Sequence, residues 1–190
     1  MRRPTPTRPA ASPTDDDLAV ALVAAQHGDP HGFATLWRGL QPAVLRYLRV
    51  VIAEHAEDTA SETWLHVIRD LDHFRGDLGA FRGWLFRIAR HRALDERRRR
   101  RPVLPDSGAV SDAASVYLEE EDTAWALRMI ATLPTDQAEA VALRVVAGLD
   151  VATTAQILGK RPGAVRIAAM RGLRRLAANP QVTDRSPKGV

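Results

Sequence analysis

The stretch LPTDQAEAVALRVVAGLDVATTAQILGKRPGAVRIAAMRGLRRL, residues 133–176, decides the fold of this chain. Pro134 and Thr135 open a helix with Asp136 and Glu139 in its first turn, where the positive end of a helix dipole favours acids. Ala138, Val141, Ala142 and Val145 recur at helical spacing as its inward stripe, and Gly148 is placed to end it. Asp150 can cap a short helix that runs to Leu158. Gly159 then supplies a turn, and Pro162 begins another helix reaching about Leu176. On this last helix Val165, Ala169, Leu173 and Leu176 share a face suited to docking, while Arg161, Arg166, Met170, Arg171 and Arg174 fall elsewhere. A short helix, a Gly turn and a basic second helix make the unit that lays its second helix in a major groove. The plainer reading is a helical hairpin whose basic face is merely solvated; the conjunction of the three features favours DNA.

Outward from this stretch the pattern stays helical. Residues 1–14 carry Pro4, Pro6, Pro9 and Pro13 without periodicity and read as a disordered tail. Asp15, Asp16 and Asp17 open a helix that buries Leu18, Ala21, Leu22 and Ala25 and stops at Gly28. Asp29 caps a second, with Pro30 in its first turn and Phe33, Leu36, Trp37 and Leu40 inward. Pro42 is expected to start a third helix, with Val44, Leu45, Leu48, Val51 and Ile52 on one side. A fourth begins near Glu57 and Asp58, with Ala60, Trp64, Val67, Ile68 and Leu71. A loop with Gly76 and Gly79 leads into a long helix from about Ala80 to Arg100. Residues 102–115, PVLPDSGAVSDAAS, read as a flexible linker. The expected architecture is therefore all-α: two small helical domains, residues 15–101 and 116–178, joined by that linker and followed by a tail at 179–190.

Composition bounds what such a chain does. Its 190 residues are 45% hydrophobic but only 5% aromatic, so the core must be mainly Ala, Val, Leu and Ile. No apolar run approaches the roughly 18 residues that span a bilayer, and no apolar stretch follows Arg2 and Arg3 to make a signal peptide. Cysteine is absent, which excludes disulfides and thiolate metal sites and fits the cytoplasm. Net charge is +4, and apart from Lys160 and Lys188 the basic residues are all arginine. Arginine suits phosphate and bases, although a GC-rich genome produces the same bias. The six histidines show no ligand spacing on an intact helix, since Gly28 and Pro30 interrupt His27 and His31. An enzyme, such as a helical hydrolase holding a metal through His55, His66 and His73, is accordingly disfavoured. No cofactor, metal or catalytic residue is expected.

The second basic concentration is FRGDLGAFRGWLFRIARHRALDERRRRR, residues 74–101. Phe81, Trp84, Leu85 and Ile88 form an apolar seam among Arg82, Arg87, Arg90, Arg92 and the run at 97–101. Flat rings for exposed bases and cations for the backbone are what single-stranded DNA requires. Trp84 lies on the seam and reads first as core; His73 and Phe74, in the loop before the helix, are better placed to touch a base.

Two stretches together carry a resemblance. AEDTASETW, residues 56–64, followed by the segment from Phe74, resembles region 2 of the extracytoplasmic-function sigma factors of the sigma-70 family, and residues 133–176 resemble their region 4. The resemblance covers about residues 15–178. It implies a protein that binds core RNA polymerase and promoter DNA and performs no catalysis. In it Asp58, Glu62, Thr63, Trp64 and Leu65 match the polymerase-binding stretch. His73, Phe74, Arg75, Asp77, Arg82, Trp84, Arg87, Arg90, His91, Arg97 and Arg98 match the surface that opens the minus-10 element. Arg161, Ala164, Arg166, Ile167, Met170, Arg171 and Arg174 match the helix that reads the minus-35 element. Relatives are commonly held by an anti-sigma protein, so such a partner is implied as well. Asp106 and Asp112 would lie with the linker in the polymerase cleft. Asp150 and Thr154 depart from the usual residues and are expected to loosen packing under the recognition helix. The alternative is a stand-alone helix-turn-helix regulator, which would leave the aromatic-arginine helix unexplained.

Overall fold

A computed structural model describes residues 12–99 and 121–185. The expected linker at 102–115, with Asp106 and Asp112, the first eleven residues of the tail, and Arg100 and Arg101 lie outside the described residues. Among the described residues nine α-helices form and no strand occurs: α1 (Asp15–Gln26), α2 (Pro30–Ile52), α3 (Ala56–Asp70), α4 (Leu78–Arg99), α5 (Glu121–Ala131), α6 (Thr135–Val141), α7 (Val151–Leu158), α8 (Pro162–Ala177) and α9 (Pro180–Arg185). None is long and apolar enough to cross a membrane.

The amino-terminal unit, α1–α4, starts from strong caps. Thr14 and Asp17 form a reciprocal capping box, and Asp29 accepts from the amides of His31 and Gly32 at the start of α2. Pro42 does not start a helix; it sits inside one 23-residue helix. The buried stripe Leu36, Leu40, Val44, Leu45, Tyr47 and Leu48 runs straight through it, so tertiary burial outweighs the one hydrogen bond a proline removes. Gly32 and Gly39 let α1 approach closely: a Cβ on Gly32 would lie 2.8 Å from the Ala21 carbonyl oxygen, and one on Gly39 2.7 Å from Leu18. Helices α3 and α4 close the bundle through Trp64, Val67, Phe81, Leu85 and Ile88.

In the carboxy-terminal unit α6 runs into a π turn over Ala142–Val146, ended at Gly148 with φ 68°. The extra residue of that turn shifts the helical register. Leu143 is buried in consequence, and Val145, expected inward, stands 58% exposed. Asp150 caps α7, Gly159 turns the chain at φ 64°, and α8 packs back on α6. The docking face of α8 is Val165, Ala168, Ala169, Gly172 and Leu176; Leu173, expected there, is 46% exposed. Gly172 makes this possible, because a Cβ there would meet Val141 at 2.8 Å. Thr154 does not loosen the packing: it is buried, and its hydroxyl donates to the Asp150 carbonyl at 2.8 Å. Within the expected tail, Asn179 caps α9, where Arg185 pairs with Asp122 and lies over the Trp125 ring at 5.0 Å.

The two units are not separate bodies in this structure. Helix α2 packs on α5, α6 and the π turn, α4 packs on α7, and the buried apolar side chains of both units form one continuous core.

Candidate nucleic-acid interface

Three surfaces carry the residues singled out from the sequence. The first is the outer face of α3. Asp58, Glu62 and Leu65 are exposed there, beside Ile68 at 54% exposure. Thr63 and Trp64 point the other way. The Thr63 hydroxyl donates to the Thr59 carbonyl, the Trp64 Nε1–H donates to Gln41 Oε1 at 2.6 Å, and Phe33 meets the Trp64 ring edge-on. They hold α3 against α2, so that its acids and apolar residues stand outward.

The second surface is the loop before α4 and the first turns of that helix. Asp77 caps α4 by accepting from the Ala80 amide, and Phe74 lies across Trp84 with ring centroids 5.1 Å apart and planes 25° off parallel. Phe81 buttresses both rings from beneath. Asp70, His73, Phe74 and Trp84 line an open pocket of about 280 Å³. Trp84 is thus neither wholly core nor wholly surface: one part seals the bundle and another lines the pocket. The loop is pinned from outside by Gln26, whose amide donates to the Phe74 carbonyl at 2.7 Å. Arg75 folds back to donate to the carbonyls of Asp72 and Phe74, which makes it a brace of the loop. Arg69 is the main reason that the Asp70 carboxyl is held below its ordinary value, so the pocket keeps a negative charge at neutral pH.

Along α4 the arginines have different occupations. Arg87, His91, Arg97 and Arg98 are exposed. Arg82 holds Asp15 in a two-pronged pair, at 2.6 and 3.0 Å, which lowers the Asp15 pKa. Arg92 reaches His66 on α3 at 3.1 Å. Arg90 points into the other unit and pairs with Glu139. In the sequence Glu139 reads only as a first-turn acid. A carboxylate set among the buried run Ala138–Leu143 needs a partner, but nothing in local sequence says that the partner lies on α4.

The third surface is α8. Arg161, Ala164, Arg166, Ile167, Met170, Arg171 and Arg174 are all exposed on it. A groove of about 510 Å³ runs beside it between Arg144, Val151, Met170 and Leu173. Lys160, at the turn, is held by Asp136 at 2.7 Å. Among the described residues no three His, Asp or Glu side chains converge on a metal-sized site; His55, His66 and His73 are not brought together.

Known proteins share these features. The family model for Sigma-70 region 2 matches residues 36–103, and that for Sigma-70, region 4 matches residues 123–176. The ECF RNA polymerase sigma factor ShbA of Streptomyces griseus is 34% identical, over 86% of this chain and 97% of that protein. BldN of Streptomyces coelicolor, another ECF RNA polymerase sigma factor, is 33% identical over 90% of this chain and 68% of its own length. Two solved structures share the fold. CnrH, in complex with the cytosolic domain of CnrY, has a TM-score of 0.61 at 20% identity, covering 90% of this chain and 100% of that one. RpoE from Bartonella quintana, in complex with the anti-sigma factor NepR, has a TM-score of 0.62 at 23% identity, covering 82% and 98%. The order of two matched regions along one chain, and relatives matched over most of their length, give the same answer as the fold: the chain belongs to the extracytoplasmic-function sigma factors of the sigma-70 family.

Proposed function

We propose that this sigma factor divides promoter recognition between its two units, with α3 meeting core RNA polymerase, α4 and its preceding loop opening the minus-10 element, and α8 reading the minus-35 element. As a member of its family it binds polymerase and directs promoter-specific initiation without catalysing a reaction. The observation that carries the division is the pocket of Asp70, His73, Phe74 and Trp84 at the head of an arginine-rich helix. Unstacking a base costs a few kcal/mol, and an aromatic pair with nearby cations can offset that cost. A stand-alone regulator reading duplex DNA has no need of such a pocket. On α8, arginines can fork onto guanine O6 and N7 or hold phosphates, while Ala164 and Ile167 offer apolar contact to a thymine methyl.

The outer face of α3, with Asp58, Glu62, Leu65 and Ile68, mixes acids with exposed apolar side chains, the composition of a protein-binding patch. It is the proposed seat of polymerase and, in competition, of an anti-sigma protein. The proposed place of action is the cytoplasm, where polymerase and promoter meet. The test is a pull-down of purified bacterial core polymerase, followed by run-off transcription on genomic fragments. Core binding with new, discrete start sites is the expected result. Tight duplex binding without core binding would favour the stand-alone regulator.

A further inference from the structure

The pocket before α4 has a one-sided chemistry. Phe74 and Trp84 line it with rings, and its polar lining is Asp70 and His73. The Asp70 carboxylate is held in place by its neighbours. Arg69 donates to it twice, Nε to Oδ1 at 2.8 Å and Nη2 to Oδ2 at 3.2 Å, while His66 Nε2 stands 3.1 Å from Oδ2. The His66 ring is itself fixed from α4, where Arg92 directs Nη2 at its Nδ1 from 3.1 Å. A guanidinium only donates, so Nδ1 accepts and Nε2 carries the proton that faces Asp70. An ionised carboxylate has acceptor sites only, two on each oxygen. Arg69 takes one on each and His66 crowds Oδ2, which leaves Oδ1 a site for a ligand. His73 is similar. Its Nδ1 lies 2.5 Å from Asp72 Oδ1, so Nδ1 carries the proton and Nε2 of the neutral ring is an acceptor. Neither polar side chain of the pocket brings a donor into it.

We propose that Asp70 selects which base the pocket holds, accepting from an exocyclic amine and turning thymine away. The inference rests on the reading of this pocket as the seat of an unstacked minus-10 base. Ring stacking tolerates every base, since each has a flat face, so selection falls to the polar side chains. An unpaired base is read on its Watson–Crick edge. Cytosine, adenine and guanine carry an amine there, whereas thymine sets carbonyl oxygens on both sides of a single N–H. Against acceptors alone the amine finds a partner, and the thymine carbonyls face a negative oxygen with no donor between them. A site built to hydrogen-bond one group rejects the analogue lacking it more strongly than an apolar slot can. His66 and Arg92 do not line the pocket; they act through Asp70 as positioning residues.

The test uses the full chain with core polymerase and measures affinity for single-stranded oligonucleotides that carry the non-template minus-10 sequence of a promoter it starts from. At each position cytosine is compared with uracil, and adenine with hypoxanthine. The two bases of each pair have nearly the same shape and differ only on the Watson–Crick edge, by an amine exchanged for a carbonyl. The expected result is one position at which the amine-bearing base binds about tenfold more tightly than its carbonyl counterpart. Asp70→Asn keeps the shape and adds a donor, and it erases that preference while leaving ratios at other positions unchanged. His66→Ala keeps the carboxylate but removes its prop, and it reduces the preference without reversing it. Each ratio is read within one protein, so a change in stability does not move it. The inference is overturned if no position prefers the amine, if the carbonyl base binds better, or if Asp70→Asn keeps the wild-type preference. In each of those cases a complex that still favours the minus-10 strand over an unrelated strand retains the promoter-opening reading. Loss of that selectivity in the wild-type complex would instead remove the promoter-opening reading, and this inference with it.

Discussion

At the scale of single residues, the side chains that organise a surface differ from those that present it. Trp64 matches the family's polymerase-binding stretch, yet its ring is buried between Phe33 and Gln41. Trp64→Ala is expected to cost about 3–5 kcal/mol of stability through the cavity it leaves, visible as a lower melting temperature. Charge reversal at Asp58 and Glu62, both exposed, is expected to leave melting almost unchanged while weakening core-polymerase binding. If the charge reversals lowered the melting temperature and spared binding, this assignment of roles would be wrong. Gln26 belongs with the organisers. Gln26→Ala removes the bond to the Phe74 carbonyl, worth about 1 kcal/mol, and is expected to slow opening of duplex promoters. A template already mismatched at the minus-10 element should be transcribed normally, because the loop no longer has to capture a paired base. Gln26 escapes a sequence reading because a glutamine at a helix end has no spacing signal, and its partner is a backbone atom 48 residues away.

At the scale of elements, caps and glycines were legible, and helix continuity was not. Asp29, Asp150, Gly148 and Gly159 do what their chemistry announces, because capping and left-handed turns are local events. Pro42 misleads, because a proline's local cost takes no account of the burial of the whole α2 stripe. The π turn misled in the same way at Val145, because one inserted residue rotates every later side chain. Asn179–Pro180 is a local signal of the same kind, a cap followed by a first-turn proline. The local nature of capping makes it testable by pH. Asp150 accepts from the side chain and amide of Thr153, which holds its pKa below the ordinary 3.8. A lowered carboxylate contributes stability that is complete above its unfolded value and is lost as pH falls through the folded one. Asp15, Asp17, Asp29 and Asp70 are lowered as well. The wild-type melting temperature should therefore be flat down to about pH 4.5 and fall steeply below about pH 4. Asp150→Ala should melt lower at pH 7, by about 1 kcal/mol, with a shallower acid limb. Equal acid limbs in the two proteins would exclude Asp150 from the effect.

At the scale of the whole molecule, the two-part division was readable from the change in composition after residue 101, and the contact between the parts was not. Periodicity names the faces of a helix without naming what covers them; Arg90 looks the same in sequence whether it meets a phosphate or Glu139. Salt dependence distinguishes these two fates. Each phosphate neutralised contributes a slope of about −0.9 to log affinity against log salt. If the free chain engages duplex DNA mainly through Arg161, Arg166, Arg171 and Arg174 of α8, its affinity should fall about two decades between 50 and 200 mM salt. When the α4 surface joins in, through Arg87, Arg90, Arg97 and Arg98, six or more phosphates are neutralised and the fall becomes three decades or more. The free chain on a minus-35 duplex should therefore have the shallower slope, and its polymerase complex on a full promoter the steeper one, after subtraction of the slope of core polymerase alone. Replacing Arg97 and Arg98 with alanine should reduce the second slope and leave the first unchanged. The same slope in both states would mean either that α4 already touches DNA in the free protein or that it never does. Measuring the double variant in the free state tells these apart, since only in the first case does its slope change.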